Sequence, residues 1–403
     1  MPRPYKISAL DIGSGFIKLL VVSKKPGEDD FEILGFAREP SLGIRKGIVI
    51  DTQRTTETIN SLVKKVEEDC GQKINSVFAN ISGSHIFCTC SRGLVSVSRA
   101  DQKISEEDVE RVLKAAQAIS LSSNKEIIQV FPKDFIVDGE SGVREAVGME
   151  GVRLEAETLI LCGFSPYLKN SSQTILNSGL QVEDLIPSSL ASARAVLTPR
   201  ERELGVCVLD IGAGASDLAV FEEGNLIHAA VLPIGSGHIT SDIAICLKTD
   251  IDTAEKIKLE FGGCYALNKD KKKIRLEGEG EALLFSRKEL TDIIEARVCE
   301  IFDLVNKELK KISRQGMLPA GVVLTGGGAR LPKIKDLAKK ELKLPCRIGA
   351  SKISTSFQED PSLSTIYGLV LEAIDSQERQ GNLQGPFYDF KNKLKRIFRI
   401  FIP

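Results

Sequence analysis

The pattern Leu-Asp-Ile-Gly-x-Gly occurs twice in this chain, once near the start and once near the middle. The two segments read SALDIGSGFIKLLVV around Asp11 and CVLDIGAGASDLAVF around Asp210. In each segment an apolar run ends at the glycines and a second apolar run follows, which predicts two strands joined by a tight turn. Helical patterns follow both hairpins, so the fold class is α/β. Repetition of one unit within 403 residues predicts two similar lobes that face each other.

Bulk composition excludes several classes of function. The formal net charge is -1, so no basic field favours nucleic acid, and we expect no nucleic-acid partner. The nine cysteines stand singly apart from Cys88 and Cys90, and the three histidines show no ligand spacing, which argues against a zinc site. The sequence shows neither a signal peptide nor an apolar run long enough to cross a bilayer. We therefore expect reduced cysteines and a cytoplasmic protein.

A hairpin with an aspartate on its first strand and glycines at its tip can hold a nucleotide phosphate. Glycine lets successive N–H groups point into one concavity that accepts phosphate oxygens. Asp11 and Asp210 can hold one hydrated Mg²⁺ between the lobes, because Mg²⁺ takes one or two carboxylates together with phosphate oxygens. Lys18 can neutralise a phosphate, although a surface lysine is the alternative. The cofactor residues expected in the two hairpins are Gly13, Ser14, Gly15, Lys18, Gly212, Ala213, Gly214, Ser216 and Asp217.

A third glycine turn, Gly326-Gly327-Gly328, follows the apolar run VVLT and leads into a helix whose start is marked by Pro332. Glycines there let a flat ring approach the backbone closely, so we interpret this turn as the adenosine contact. Glu255 and Lys258, on the helical segment TAEKIKLEF, are the expected ribose and base partners, with a solvated helix pair as the alternative. Two glycines of the segment PIGSGHITSDIA complete the expected cofactor site, namely Gly235 and Gly237.

The rest of the chain divides into further units. Residues 84–163 combine short strands with a clear helix, in which Ser105 can cap the first turn, so we expect a compact inserted α+β domain. A polar, glycine-containing stretch near the end is typical of a flexible linker. The expected units are 1–83 with 164–201 and 358–375 for the first lobe, 84–163 for the inserted domain, 202–235 with 310–357 for the second-lobe core, 236–309 for a second-lobe subdomain, 376–386 for the linker and 387–403 for a terminal helix.

Four stretches, in order, resemble the actin, Hsp70 and sugar-kinase superfamily: LDIGSGFIK, VLDIGAGASDLAV, PIGSGHITSDIA and VVLTGGGARLP. They are similar to its first phosphate loop, second phosphate loop, first connecting segment and adenosine motif, and STIYGLVL looks like its second connection. Within the superfamily the chain resembles the FtsA family of bacterial cell-division proteins, through RGLVSVSRADQKISEEDVERVLKAA, VGMEGVRLEAETLILCG and ASARAVLTPRERELGVCVLDIG. The resemblance implies an actin-like, duplicated two-lobe ATPase fold with an inserted small α+β domain of the SHS2 type and a C-terminal amphipathic helix. It also implies ATP and Mg²⁺ in the cleft.

The second phosphate loop departs from the pattern of the superfamily. That loop usually reads Asp-x-Gly-Gly-Gly-Thr, whereas here Ala213 replaces a glycine and Ala215 replaces the threonine, which removes a hydroxyl contact. The segment IPSSLASARAV offers only serines and alanines to orient an attacking water. Asp11 and Asp210 could act in catalysis only through a water bound to the metal. We therefore expect ATP binding with weak or no hydrolysis, and whether the chain is an enzyme stays open.

The last segment, FYDFKNKLKRIFRIFIP, predicts an amphipathic helix. At 100° per residue six apolar side chains fall within about a third of the helix circumference, and most cations lie on the other side: Phe387, Phe390, Leu394, Ile397, Phe398 and Phe401. Ile400 lies off this stripe. The helix is too short and too charged to span a bilayer, so we expect it to lie in the interface of an anionic membrane. Packing on the body of the protein is the alternative. The residues expected at the membrane are Phe387, Phe390, Lys391, Leu394, Lys395, Ile397, Phe398 and Phe401.

The FtsA resemblance implies a function for the whole chain. It implies a protein that forms filaments with itself and tethers FtsZ filaments to the cytoplasmic face of the cell membrane at the division site, with other division proteins as further partners. The FtsZ C-terminal tail would dock on residues 236–309, where Arg297 on a long helix from Arg287 to Ile312 is the candidate contact. A PilM-like pilus-assembly protein and a stand-alone ATPase of the Hsp70 or sugar-kinase type are the alternatives.

Overall fold

The residues described by the computed structural model are 4–28, 30–264, 273–276, 283–350 and 359–381. Within them the chain forms two five-stranded sheets, one four-stranded sheet, two short strand pairs and ten α-helices. The amphipathic helix predicted at 387–403 lies outside the described residues. No helix among the described residues is long and apolar enough to cross a bilayer.

The first part of the chain builds most of the first lobe. Its long helix begins after Asp51, whose side chain accepts a hydrogen bond from the Arg54 N–H at 3.1 Å. The helix ends at Gly71, where φ is 66°, a left-handed conformation that glycine adopts without steric cost. The elements are β1 (Tyr5–Ile12), β2 (Phe16–Lys24), β3 (Phe31–Pro40), β4 (Ile44–Arg45), β5 (Ile48–Val49), α1 (Thr52–Cys70) and β6 (Ser76–Ile81).

The inserted domain has its own sheet and core. Its elements are β7 (Phe87–Ser96), α2 (Glu106–Ala116), β8 (Lys125–Val137), β9 (Glu140–Val143) and β10 (Arg153–Phe164). The sheet order is β7-β10-β8-β9, and α2 packs on β7 and β10. The predicted cap is confirmed, because Ser105 and Asp108 form a reciprocal capping box. Val109, Val112 and Leu113 pack against Phe135 and Leu154 to form the domain's core.

The chain then returns to the first lobe, crosses to the second and finally comes back. The remaining elements are α3 (Ser165–Asn177), β11 (Gln181–Pro187), α4 (Ser188–Val196), α5 (Pro199–Leu204), β12 (Val206–Ile211), β13 (Ser216–Glu222), β14 (Asn225–Leu232), α6 (Ser236–Leu247), α7 (Ile251–Phe261), β15 (Lys273–Leu276), β16 (Leu283–Ser286), α8 (Arg287–Lys311), β17 (Gly321–Thr325), α9 (Ile334–Leu342), β18 (Cys346–Ile348) and α10 (Ser364–Gly381), with 3₁₀ turns at Gly327–Arg330 and Pro361–Leu363.

The two five-stranded sheets have the same topology. The first runs β11-β6-β1-β2-β3 and the second runs β18-β17-β12-β13-β14. In each, a hairpin is flanked by a parallel strand on one side and an antiparallel strand on the other. Every residue of β12 is buried, as expected for a strand covered on both faces. The predicted hairpins and the predicted duplication of the lobes are confirmed.

Two helices cross where the lobes join. Helix α4, followed by the short α5, carries the chain from β11 of the first sheet to β12 of the second, and α10 packs across α4. A Cβ atom on Gly368 would lie 1.6 Å from the carbonyl oxygen of Ala191, so the two backbones touch. The interpretation of PIGSGHITSDIA as the first connecting segment was wrong, because this segment leads into α6 inside the second lobe. The connecting role belongs to α4.

The predicted linker begins later than expected. Helix α10 continues to Gly381 and thus includes the first residues of the range 376–386. Its last turns contact the first lobe through two hydrogen bonds, in which Arg194 donates to Asp375 at 3.0 Å and Tyr5 donates to Glu378 at 3.5 Å. The prediction of a flexible chain from residue 376 was wrong for this part, because polar composition alone does not reveal these contacts.

His85 lies where the chain enters and leaves the inserted domain. Its ring packs edge-on against Tyr167, with centroids 5.1 Å apart, and neither ring nitrogen has a hydrogen-bond partner among the described residues. Burial lowers the pKa of His85 from 6.5 to about 4. Between these two pH values the unfolded chain takes up a proton that the folded chain does not, so stability is lost as the pH falls through this range.

We expect His85→Phe to reduce this acid sensitivity. Between pH 7.5 and 5.0 the melting temperature of the variant should fall about 2 °C less than that of the parent chain. The two pKa values correspond to about 2 kcal/mol of linked protonation at pH 5, of which about half is expected because solvent reaches part of the ring. Differential scanning fluorimetry at both pH values measures the difference. Equal falls in the two proteins would contradict the assignment of this linkage to His85.

Candidate functional site

Asp11 is the penultimate residue of β1 and is buried, with 4% of the residue exposed. Its Oδ2 accepts a hydrogen bond from Lys18 Nζ at 2.5 Å, because the antiparallel register places Lys18 directly opposite. Its Oδ1 accepts from Asn80 Nδ2 at 2.9 Å. Lys18 is therefore the partner of Asp11 and not a free surface lysine; its contact with a phosphate stays a prediction.

Two more buried carboxylates, Asp210 and Asp217, lie directly opposite each other in the second hairpin. Asp210 Oδ2 accepts from Thr365 Oγ1 at 2.8 Å, and Asp217 Oδ1 accepts from Ser82 Oγ at 2.8 Å. Burial, followed by the charge of Asp11, raises the pKa of Asp210 to about 6. Burial, followed by the charge of Asp210, raises the pKa of Asp217 well above its usual range. The Asp11 carboxylate of the first hairpin thus lies near enough to Asp210 of the second for its charge to act there, and their joint binding of a metal stays a prediction.

The tips of the two hairpins touch each other. A Cβ atom on Gly15 would lie 2.9 Å from the Cβ of Ala213, and one on Gly214 would lie 2.8 Å from Ser14 Oγ. Only glycine fits at these positions without pushing the lobes apart. The residues predicted for the two phosphate loops therefore form one continuous surface that belongs to both lobes.

Gly235 and Gly237 pack under the second turn. The Gly237 N–H donates to the carbonyl oxygen of Ala213 at 2.8 Å, and the Gly235 N–H donates to His238 Nδ1 at 3.1 Å. Ser216, also predicted to bind the cofactor, is fully buried and donates its hydroxyl to the carbonyl oxygen of Ile234 at 2.7 Å. These three residues support the shape of the second turn, since their donors are used within the protein.

The third glycine turn lies against the second hairpin. Gly326 has a φ of 82°, and a Cβ atom on it would lie 2.2 Å from Asp210 Oδ1. Gly327 faces open space, because the nearest atom to a Cβ added there would be the Cβ of Ser362, at 4.0 Å. Pro332 does not begin a helix as predicted, because a 3₁₀ turn precedes it and α9 begins at Ile334. The predicted glycine turn after the strand VVLT is present, at the end of β17 and the start of this 3₁₀ turn.

Glu255 and Lys258 lie on α7, which runs from α6 towards the third turn. Lys258 is buried and its Nζ contacts Glu255 Oε2 at 2.6 Å and Thr240 Oγ1 at 2.8 Å. The same Nζ lies 3.4 Å from the carbonyl oxygen of Ser236, and the Cys264 N–H donates to the carbonyl oxygen of Pro332 at 2.8 Å. The pair is therefore held beside the glycine turns, and its role towards ribose and base stays a prediction.

Arg297 joins two helices of the second lobe. Its Nε and Nη2 donate to the two carboxylate oxygens of Asp242 on α6, at 2.6 and 2.7 Å, and Nη1 donates to Glu300. The predicted long helix is confirmed, since α8 begins at Arg287 and ends at Lys311. Arg297 is paired within the chain, and its contact with a partner peptide stays a prediction.

Several site residues were missed by the sequence interpretation. Asn80 and Ser82 hold Asp11 and Asp217 from the end of β6, and Thr365 holds Asp210 from the start of α10. A signal was present for Asn80, because it interrupts an otherwise apolar buried strand, SVFANI. Nothing comparable marks Ser82 or Thr365 in the sequence, since both act across long separations in the chain.

The donor set suits a hydrated Mg²⁺. Asp11 and Asp210 are buried carboxylates whose charges act on each other, and neither Asp210 nor Asp217 has a lysine or arginine ion pair among the described residues. The described part of the chain contains no cluster of three or more metal-ligating side chains. Mg²⁺ is ordinarily held by one or two carboxylates, with water and phosphate oxygens completing its shell, so the residues present fit this ion.

Comparison with known proteins identifies the family. The family model for cell division protein FtsA matches residues 207–368, and the one for the SHS2 domain inserted in FtsA matches residues 83–162. The chain is 34% identical to cell division protein FtsA of Pseudomonas aeruginosa, over 92% of this chain and 90% of that protein. The chain belongs to the FtsA family. FtsA of Bacillus subtilis is 33% identical over 98% of this chain and 88% of its own length.

Solved structures show the same fold at low identity. The PilM–PilN type IV pilus biogenesis complex matches with a TM-score of 0.65 and 17% identity, over 91% of this chain and 98% of that chain. MreB5 of Spiroplasma citri bound to ADP matches with a TM-score of 0.56 and 12% identity, over 94% of this chain and 99% of that chain. This FtsA-family chain therefore has the predicted actin-like fold with an SHS2 insertion.

Proposed function

We propose that this FtsA-family chain binds ATP with Mg²⁺ between its lobes, forms filaments and tethers FtsZ filaments to the cytoplasmic face of the membrane at the division site. The observation that carries the nucleotide part is the meeting of two hairpins from duplicated lobes. Their glycine turns touch, and their buried carboxylates act on each other. A structural relative, MreB5, is described as bound to ADP and, in another structure, to AMPPNP.

Each part of the site has a distinct task in this proposal. Residues 13–15 and 212–214 would hold phosphate oxygens through their backbone N–H groups. Asp11 and Asp210 would hold the metal through its water shell, and the metal would supply neutralisation of the phosphate charge. Gly327, the open member of the third turn, would lie against the adenosine. A fluorescence titration with an ATP analogue tests this, and failure to bind with Mg²⁺ present would contradict it.

Membrane attachment is assigned to residues 387–403. The substitutions Phe390→Glu and Phe398→Glu together should reduce co-sedimentation with vesicles of phosphatidylglycerol and phosphatidylethanolamine by at least about tenfold, because two aromatic side chains that would insert into the membrane become charged. The matched control is Leu204→Glu with Met317→Glu, at two exposed apolar positions of the body. Equal binding by both variants would place the membrane contact elsewhere.

A truncated chain provides a second test of membrane attachment by residues 387–403. A chain ending at Gly381 keeps all of α10 and its contacts with the first lobe, whereas one ending near Ser376 would lose the Glu378 contact with Tyr5. The chain ending at Gly381 should remain folded and should stay in the supernatant. If it sediments with vesicles like the full chain, the tail is not the anchor.

The FtsZ C-terminal tail is the proposed partner of the subdomain at 236–309, with Arg297 as a contact. Arg297→Gln removes the charge but keeps hydrogen-bond donors for Asp242, so it should weaken binding of an acidic FtsZ tail peptide about fivefold or more. Lys311→Gln, at the far end of α8, is the control and should bind normally. Fluorescence anisotropy measures both, and equal affinities would remove Arg297 from the docking surface.

Two alternatives remain distinguishable by experiment. The PilM resemblance rests on the fold alone, at 17% identity, and a PilM-like protein does not explain the basic amphipathic tail. A stand-alone ATPase would turn over ATP on the usual enzyme scale of about 1 per second or more. We expect much slower turnover, because Ala215 replaces the hydroxyl-bearing residue of the second phosphate loop. A malachite-green assay with Mg·ATP measures the rate.

A further inference from the structure

The end of β6 reaches both nucleotide hairpins. Asn80 is buried, and its amide makes two contacts with the first hairpin: Nδ2 donates to Asp11 Oδ1 at 2.9 Å, and Oδ1 accepts from the Ile12 N–H at 2.6 Å. Nδ2 also donates to Ser188 Oγ at 3.0 Å. One side chain of β6 thus fixes both the carboxylate and the backbone at the end of β1.

Ser82, two residues further on, contacts the second hairpin. Its hydroxyl donates to Asp217 Oδ1 at 2.8 Å and so crosses from the first lobe to the second. Gly47 confines this hydroxyl, because a Cβ atom there would lie 2.8 Å from Ser82 Oγ. The Gly47 N–H in turn donates to Ser14 Oγ at 2.8 Å, at the tip of the first hairpin.

A purely structural role for this pair is the simpler alternative. The strand itself does not need either polar group, since Val77, Phe78, Ala79 and Ile81 are buried apolar residues in the same element. Burying an amide or a hydroxyl costs free energy unless each polar atom finds a partner. All the side-chain partners of Asn80 and Ser82 lie in the nucleotide hairpins or at the start of α4.

We propose that Asn80 and Ser82 are positioning residues, which hold the Asp11 and Asp217 carboxylates in the arrangement that accepts a Mg²⁺-bound nucleotide. This inference rests on the proposed function. Asn80 fixes the direction of one Asp11 oxygen while Lys18 binds the other. Ser82 fixes Asp217 directly opposite Asp210 and ties the two lobes together at the same point.

The experiment measures how much Mg²⁺ improves ATP affinity. Isothermal titration gives the dissociation constant of ATP in Mg²⁺ and in EDTA, and the ratio of the two is the metal gain. The variants are Asn80→Leu, which has a similar shape, and Ser82→Ala, which removes one oxygen. The control is Thr158→Val. Thr158 is a buried residue of β10 in the inserted domain, and its hydroxyl donates to the carbonyl oxygen of Ser91 and not to a residue of the hairpins.

We expect the metal gain to fall about tenfold in each variant and to be unchanged in the control, since each variant loses a hydrogen bond that fixes a carboxyl group of the site. Affinity in EDTA should change little. A parent-like metal gain in both variants, or an equal loss of affinity in Mg²⁺ and in EDTA, would overturn the proposal. If Asn80→Leu does not fold, Ser82→Ala decides alone. A parent chain that binds no ATP in either condition would instead refute the proposed function, and this inference with it.

Discussion

Asp210→Asn should raise the melting temperature of the nucleotide-free chain and abolish its stabilisation by Mg·ATP. Burial, with the nearby charge of Asp11, raises the pKa of Asp210 from 3.8 to about 6. Ionisation of this carboxyl group above pH 6 therefore lowers the free energy of unfolding. A shift of about two pKa units corresponds to about 3 kcal/mol. Removing the charge should therefore raise the melting temperature by several degrees at pH 7.5.

The sign of the pH dependence follows from the same shift. Because the pKa is raised on folding, this carboxyl group contributes full stability below pH 3.8, and the contribution is lost as the pH rises through 6. Between pH 7 and pH 5 the nucleotide-free parent chain should become more stable relative to Asp210→Asn, because Asp217 and His85 titrate in both proteins and their effects cancel in this difference. Scanning fluorimetry over this range, with and without Mg·ATP, measures both effects.

Asp11→Asn is the matched comparison. Asp11 has Lys18 as its ion-pair partner at 2.5 Å, so its replacement leaves a lysine without its carboxylate and should lower the melting temperature. Both variants should lose the stabilisation by Mg·ATP. If Asp210→Asn is destabilised like Asp11→Asn, then the Asp210 charge is already compensated in the protein, and the argument for a metal beside it fails.

Gly368→Val should unfold the junction between the lobes. A Cβ atom at this position would lie 1.6 Å from the carbonyl oxygen of Ala191, and backbone atoms cannot move aside as a flexible side chain can. The two helices must separate, which opens the core that α10 closes with β1 and β6. We expect a loss of more than about 3 kcal/mol, as for severe overpacking, and a melting temperature at least about 6 °C lower.

Gly263→Ala is the control for this substitution. Its new Cβ would meet Pro332 at 3.5 Å, an ordinary contact distance, so a change within about 0.5 kcal/mol is expected. Thermal unfolding followed by circular dichroism compares the two variants with the parent chain. A stable Gly368→Val protein would show that α4 and α10 do not cross as closely as described.

Local patterns predicted the parts of the site that are local in sequence. Each hairpin is encoded by an apolar run, glycines and a second apolar run, and the register that pairs Asp11 with Lys18 follows from the short turn between them. The cap at Ser105 and the extent of α8 are likewise set by neighbouring residues. These elements could therefore be predicted before the structure was known.

Relations between distant segments could not be predicted in this way. Nothing in PIGSGHITSDIA or in the residues of α4 reveals which of them carries the chain between the sheets, because both are short helical segments after apolar runs. Asn80 is 69 positions from Asp11, and Thr365 is 155 positions from Asp210. Such contacts depend on how the sheets and helices pack, which the periodicity of the sequence does not contain.

A crystal structure of the full chain grown with excess ATP and Mg²⁺ would show directly whether the two hairpins bind the nucleotide together. We expect phosphate density against residues 13–15 and 212–214 and a metal whose water shell contacts Asp11 and Asp210. Nucleotide bound away from both turns, or a cleft that remains without nucleotide while Asp210 keeps only its contact with Thr365, would contradict this expectation.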